Sequence, residues 1–227
     1  MHASAIPSAV IERANLIMGE GHHTVIDPAK TAHVVVDLQA GFMAPNAICE
    51  VPVARDIVPQ VNALSSAVRA AGAVNAFIRF TVDLNEPNYW APMYDRMPEQ
   101  TRAAFVDAFS PGAQPHGLWS ELDVRPGDWI VNKTRFSAFV PGTCQLHERL
   151  QARGIDTLIV TGTLTNCCCE STVRDAMQLG YKVLFIQDGN AGYDDASHNA
   201  TLANMVGLFF AEVCTAETAI SRLKAQR

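Results

Sequence analysis

Five short runs rich in Val and Ile, at roughly 33–37, 74–80, 128–132, 156–161 and 182–187, with a sixth candidate at 209–214, constrain this chain more than any other feature. Each run is continuously apolar, as strands covered on both faces are, instead of alternating like half-exposed strands. The segments between them carry helical spacing. In 53–71, Val53, Ile57, Val61, Leu64 and Val68 recur every three or four residues, with Gly72 behind them; in 142–153, Leu146 and Leu150 share a face ahead of Gly154. In 167–179, Thr172, Val173, Ala176 and Met177 form an inward stripe that Gly180 ends. Glycine just past a periodic segment is a stop signal. Alternating strands and helices predict a three-layer α/β/α fold around a mostly parallel, Rossmann-like sheet of about six strands.

Two stretches break the rhythm. Residues 1–30 read as an N-terminal helix over about 7–18 and a loop with Gly19, Gly21 and Pro28, an arm on a single domain spanning 31–227. Residues 84–127 hold six prolines together with Tyr89, Trp90, Tyr94 and Trp119, and only a weak helix near 98–109. Long irregular segments within a compact domain tend to carry function, so this one is expected to wall a pocket.

Charge and composition narrow the partners. The net charge of −6 and the lack of a basic cluster argue against nucleic acid. The apolar runs are too short to span a bilayer. The first residues lack a basic region and place Glu12 and Arg13 where a secretory signal needs uninterrupted apolar sequence, so the expected location is the cytoplasm and the expected partner a small molecule. Three of the six cysteines, Cys167, Cys168 and Cys169, are adjacent, and Cys49, Cys144 and Cys214 are scattered. Free thiols are expected. Neighbours on a helix point about 100° apart, so the adjacent three cannot share a tetrahedral metal ion. His22 and His23 sit in a Gly-flanked loop and read as solvent-exposed, not as metal ligands.

Three reactive side chains follow three of the runs. Asp37 closes HVVVD, Lys133 closes WIVNK, and Cys168 lies just beyond LIVTGTLTN. In a parallel sheet all three reach the carboxyl edge, where open α/β sheets place their crevices. Asn166 reads as an N-cap, which puts Cys168 in a first helical turn where free N–H groups favour thiolate and could hold an oxyanion. Singly, each has a blander reading: a turn aspartate, a solvated lysine, a buried thiol. His198 reads as packing, and Arg174 and Asp175 as structural ion pairs.

Asp37-Leu38-Gln39 with Phe42, then Lys133-Thr134-Arg135-Phe136-Ser137-Ala138-Phe139, then Gly162 through Ala176, resemble the three signature blocks of the isochorismatase-like cysteine hydrolases, in the right order and spacing over about residues 30–215. The resemblance is nearest the N-carbamoylsarcosine and ureidoacrylate amidohydrolase branch. It implies a triad of Asp37, Lys133 and Cys168, a cis peptide between Thr163 and Leu164, and an oxyanion hole from the Leu164 and Cys168 N–H groups. It also implies amide hydrolysis through a thioester with no metal or organic cofactor, and assembly as a homodimer or homotetramer. Gln39, Phe42, Tyr89, Trp90, Arg135 and Phe136 are the candidate substrate-binding residues, with Arg79 a second candidate for a substrate carboxylate.

Two departures separate this chain from other branches. Nicotinamidases carry an Asp-x-His-x-x-His metal cluster, whereas residues 80–90 here offer Asp83 and no histidine. True isochorismatases lack the nucleophilic cysteine. A small amide, carbamoyl or ureido compound is therefore the favoured substrate. An isochorismatase-type ether hydrolase, a nicotinamidase-like amidase, a non-catalytic ligand-binding member and a thiol redox sensor remain the alternatives.

Overall fold

The computed structural model describes residues 1–21, 23–85, 87 and 89–225. Six strands form one sheet: β1 (Thr31–Val36), β2 (Val74–Phe80), β3 (Trp129–Lys133), β4 (Thr157–Thr163), β5 (Lys182–Ala191) and β6 (Glu212–Cys214). Their spatial order is β3-β2-β1-β4-β5-β6, and every strand pairing is parallel. The chain winds outward from β1 in one direction, returns, and winds outward from β4 in the other. The point where the winding reverses lies between β1 and β4, where a doubly wound sheet opens a crevice at its carboxyl edge.

Burial explains the strand pattern. All six residues of β1 and all seven of β4 are buried, since helices cover both faces there. At the edge, β3 exposes Ile130 and Asn132 and so alternates. One face carries Val34, Val36, Ile78 and Val160 against α6 (Leu146–Ala152), α7 (Glu170–Gln178) and α8 (Asp195–Gly207). The other presents Val35 and Phe77 to α3 (Val58–Ala70) and α5 (Glu99–Phe109), with α9 (Ala216–Ala225) alongside α3. Within that second layer His33 is fully buried, its ring nitrogens bonded to Ser65, Asn75 and Thr161. Two single-turn helices, α2 (Ala40–Met43) and α4 (Ala91–Tyr94), sit in loops at the carboxyl edge, and α1 (Ser8–Met18) forms the N-terminal arm.

Several expected boundaries shift. The helix expected over 53–71 starts at Val58, because Pro52 opens a separate 3₁₀ turn over Pro52–Arg55. The stripe of α7 buries Thr172, Val173 and Ala176, but Met177 is 37% exposed, one position past the buried arc. On α1, Ala14 is buried and Val10 packs near Gly207 of α8, while Leu16, Ile17 and Met18 face outward. The apolar face of the arm is thus partly used within the chain. No helix among the described residues is long and apolar enough to cross a membrane.

Candidate active site

At the end of β1 the backbone turns through Asp37, whose φ of 54° is left-handed, a conformation that Asp tolerates better than most residues. Its N–H donates to the Ile78 carbonyl at 3.0 Å, so the turn is anchored on β2. Lys133, at the end of β3, is two strands away, roughly 10 Å at ordinary strand spacing. Its side chain closes that gap by crossing the end of β2, passing 5.0 Å from the Phe80 ring centroid. The ammonium ends 2.7 Å from Asp37 Oδ2 and donates to the Arg135 carbonyl at 3.0 Å. Both side chains of this ion pair are wholly buried.

Cys168 enters from the other side of the winding reversal. A shift in the register with β5 between Val160 and Gly162 precedes it, and Gly162 takes a φ of 131° where a Cβ would lie 2.1 Å from the Val36 carbonyl oxygen. Only glycine lets β4 pass β1 this closely. The Thr163–Leu164 peptide is cis, and residues Thr165–Cys169 form a π-helical turn ahead of α7. Asn166 was expected to cap this helix, yet the turn has no side-chain cap; the Leu164 carbonyl accepts the Cys167 and Cys169 N–H groups, both at 3.1 Å. The π turn sets the middle cysteine of the three against the Asp37–Lys133 pair, where its sulfur interacts with both side chains.

The electrostatics of the group follow from burial. Desolvation holds the Asp37 carboxyl above its ordinary value of 3.8, with the Lys133 ammonium and the Cys168 thiol pulling it back. Lys133 loses water too, but the Asp37 carboxylate and the Cys168 sulfur outweigh that loss and keep it charged. The adjacent Cys167 thiol, then burial, push Cys168 well above the normal thiol range, against the pull of Lys133. This runs against the expected resting thiolate: the Cys167 hydrogen bond and burial both favour the protonated thiol. A thiol beside a carboxylate of raised basicity is the starting state for proton transfer on demand.

Of the remaining candidates, Trp90 and Phe136 come together edge to face at 4.8 Å, and the Arg135 guanidinium lies 5.1 Å from the Trp90 ring. Tyr89 packs on Tyr94 and donates its hydroxyl to Asp95 at 2.8 Å. Phe42 packs on Phe109, ring centroids 4.7 Å apart, in the core beneath this wall. Arg79 binds Asn132 at the outer edge of the sheet, where β2 pairs with β3. Gln39 needs correction as a substrate contact. It is fully buried, its amide nitrogen donating to the Phe80 and His116 carbonyls while its oxygen accepts the Phe80 N–H. With both amide hydrogens and its oxygen engaged, it braces β1, β2 and the segment around His116. His116 completes that brace, 2.8 Å from the Thr81 hydroxyl, and no periodicity could have marked it.

Arg174 pairs with Glu170, and His198 is buried between Ser4 and Thr165. His23 pairs with Glu212, while His22 lies outside the described residues. Among the described residues no three His, Cys, Asp or Glu side chains cluster as a metal site.

Comparison with known proteins places this geometry. The isochorismatase domain model matches residues 31–218. The chain belongs to the isochorismatase family. Among family relatives, the uncharacterized isochorismatase family protein YwoC of Bacillus subtilis is 33% identical over 177 residues, covering 78% of this chain and 86% of that protein. The ureidoacrylate amidohydrolase RutB of Methylobacterium radiotolerans is 28% identical over 199 residues, 81% of this chain and 76% of that one. A crystal structure of a cysteine hydrolase from Pseudomonas syringae superposes with a TM-score of 0.80 at 28% identity, covering 90% of this chain and 97% of the other. The protein is therefore an isochorismatase-family hydrolase with the six-stranded α/β fold of that family.

Proposed function

We propose that this protein is a cysteine-dependent amidohydrolase that cleaves a C–N bond in a small amide, carbamoyl or ureido compound. One observation carries the reading: a fully buried Asp37–Lys133 ion pair at 2.7 Å beside a nearly buried cysteine at the winding reversal of the sheet. Burying two charges is costly unless function retains them. The relation to a ureidoacrylate amidohydrolase supports the choice of bond.

In this mechanism Asp37 takes the Cys168 proton as the sulfur attacks the substrate carbonyl carbon, forming the C–S bond. The carbonyl oxygen becomes an oxyanion, received by the Leu164 and Cys168 N–H groups. Asp37 returns the proton to the departing nitrogen as the C–N bond breaks. Water then gives a proton to Asp37 while its oxygen attacks the thioester; the C–S bond breaks, Asp37 returns that proton to the Cys168 sulfur, and the acid is released. Lys133 holds the local charge balance through both halves. No step calls for a metal or an organic cofactor. Trp90, Phe136 and Arg135 form the wall that receives the substrate, with Tyr89 bracing it from behind.

The reading includes a domain over 31–227 with residues 1–30 as an arm, a cytoplasmic location, and a homodimer or homotetramer that covers Leu16 and Ile17. Light scattering after gel filtration tests the last point, and a monomer at micromolar concentration removes it. The chemistry is tested by ammonia release from a panel of amides and ureides, with wild type beside Cys168→Ala. Release by wild type, its loss in the variant and an acyl adduct on Cys168 caught by mass spectrometry are expected. Turnover retained without the sulfur refutes the reading.

A further inference from the structure

The first six residues run as a strap along α8, and the strap is held by specific bonds. Asn199 brackets it, its amide nitrogen donating to the Ala3 carbonyl at 3.0 Å and its oxygen accepting the Ala5 N–H at 2.9 Å. His2 is buried, its side chain 2% exposed. Its Nδ1 lies 2.7 Å from Asp195 Oδ1, and its Nε2 accepts the Gly192 N–H at 2.9 Å. That N–H···N bond fixes Nε2 as the unprotonated nitrogen and leaves Nδ1 to donate to the carboxylate. The His2 ring stacks on the His198 ring, centroids 4.3 Å apart and 21° from parallel. His198 in turn places Nδ1 3.0 Å from the Thr165 hydroxyl and Nε2 3.2 Å from the Ser4 hydroxyl.

These bonds end on two loops that flank the nucleophile. Thr165 follows Leu164 and opens the π turn that carries Cys168. Gly192 follows β5 and lies against the same turn: a Cβ built on it would be 3.7 Å from Thr165 and from the Asn166 side-chain oxygen. Thr163 adds a third tie, donating its hydroxyl to the Ala191 carbonyl at 3.1 Å. His2 and Ser4 lie outside the matched span of 31–218.

We propose that His2, stacked on His198, is a positioning residue that clamps the 191–193 loop and the cysteine turn from behind, setting the Leu164 and Cys168 amides where the oxyanion forms. Neither imidazole touches the reacting atoms. Their contribution is rigidity, because amide donors stabilise a developing charge only when they are held at the place it will occupy. The catalytic half of this inference rests on the hydrolase reading above; the structural half does not.

The test uses the full-length protein as wild type, His2→Ala and His2→Gln. Glutamine presents one acceptor and one donor at a spacing close to that of the two ring nitrogens, and so can meet both Gly192 and Asp195. In His2→Ala, amide exchange followed by mass spectrometry is expected to accelerate at least tenfold in peptides spanning 162–169 and 190–194, with the rest of the sheet unchanged. For an amide that wild type turns over, kcat is expected to fall at least tenfold with KM within a factor of two. His2→Gln is expected to restore most of both properties. Unchanged exchange in His2→Ala overturns the clamp. Faster exchange with wild-type kcat overturns its positioning role. If wild type turns over no amide, the hydrolase reading falls, and exchange alone decides whether the clamp exists.

Discussion

In the proposed mechanism Asp37 serves as a base while sitting out of water, and Lys133 decides how well it can. Burial raises the carboxyl and the ammonium restrains that rise, so the group takes up a proton more readily than an ordinary aspartate. Because Asp37 works only when ionised, kcat/KM is expected to fall with acidification along a limb set above 3.8. Replacing Lys133 with Gln removes the restraint. That limb is then expected to move up by about 1–3 pH units while the plateau drops at least about a hundredfold. A pH–rate profile of both proteins checks this, and a limb that stays in place removes Lys133 from the electrostatic role.

Not every residue assignment could come from the sequence. Asp37, Lys133 and Cys168 were legible because each ends or follows a strand, and strand ends in a parallel sheet converge. Gln39 was not. An amide beside a catalytic carboxylate has the same one-letter signature whether it faces substrate or braces backbone, and only the positions of Phe80 and His116 decide. The upward push on the Cys168 thiol was not legible either, since helix-end position is visible in sequence while the Cys167 hydrogen bond and burial are not.

Among the elements, the contact of β4 with β1 is the one on which the site depends most. Its tightest point is Gly162, where any side chain meets the Val36 carbonyl and the backbone already takes a φ of 131°. Gly162→Ala is expected to cost at least about 4 kcal/mol, measured by urea unfolding, or to prevent folding, because two strands rather than one flexible side chain would have to move. Gly154, at a φ of 68° with open space around it, is the control; alanine there meets only backbone strain, about 1 kcal/mol. Element order and type were readable from apolar runs and glycine stops. The starts of α3 and of the cysteine helix were not, since a proline-led 3₁₀ turn and a π turn break the 3.6-residue period on which such a reading relies.

For the molecule as a whole, the buried polar layer under the sheet makes stability depend on pH. Burial pushes His33 down to about 4, with the Asn75 hydrogen bond opposing. The unfolded chain therefore binds a proton near 6.5 that the folded chain refuses, so stability falls as pH drops from that value toward 4. Between pH 7 and pH 5 this one residue is expected to remove about 2 kcal/mol. Asp37 has the opposite sign, since its raised value favours the folded state in acid, so the comparison has to isolate His33. Urea midpoints of wild type and His33→Gln at both pH values do so: the glutamine protein should start lower and lose less on acidification. Equal losses would place the acid sensitivity elsewhere.

The reach of Lys133 across the end of β2 also bears on how such a protein can change. Asp37, Lys133 and Cys168 follow or close β1, β3 and β4, while the cluster of Tyr89, Trp90 and Tyr94 lies on the long connection that leaves β2 and re-enters at β3. That connection is bolted down at both exits, by Gln39 on Phe80 and His116 at one and by Arg69 on Asp123 and Asp128 at the other, so its interior can be rewritten as a cassette. Transplanting residues 84–113 from another member should then exchange the menu of molecules accepted while the reactive machinery stays in register.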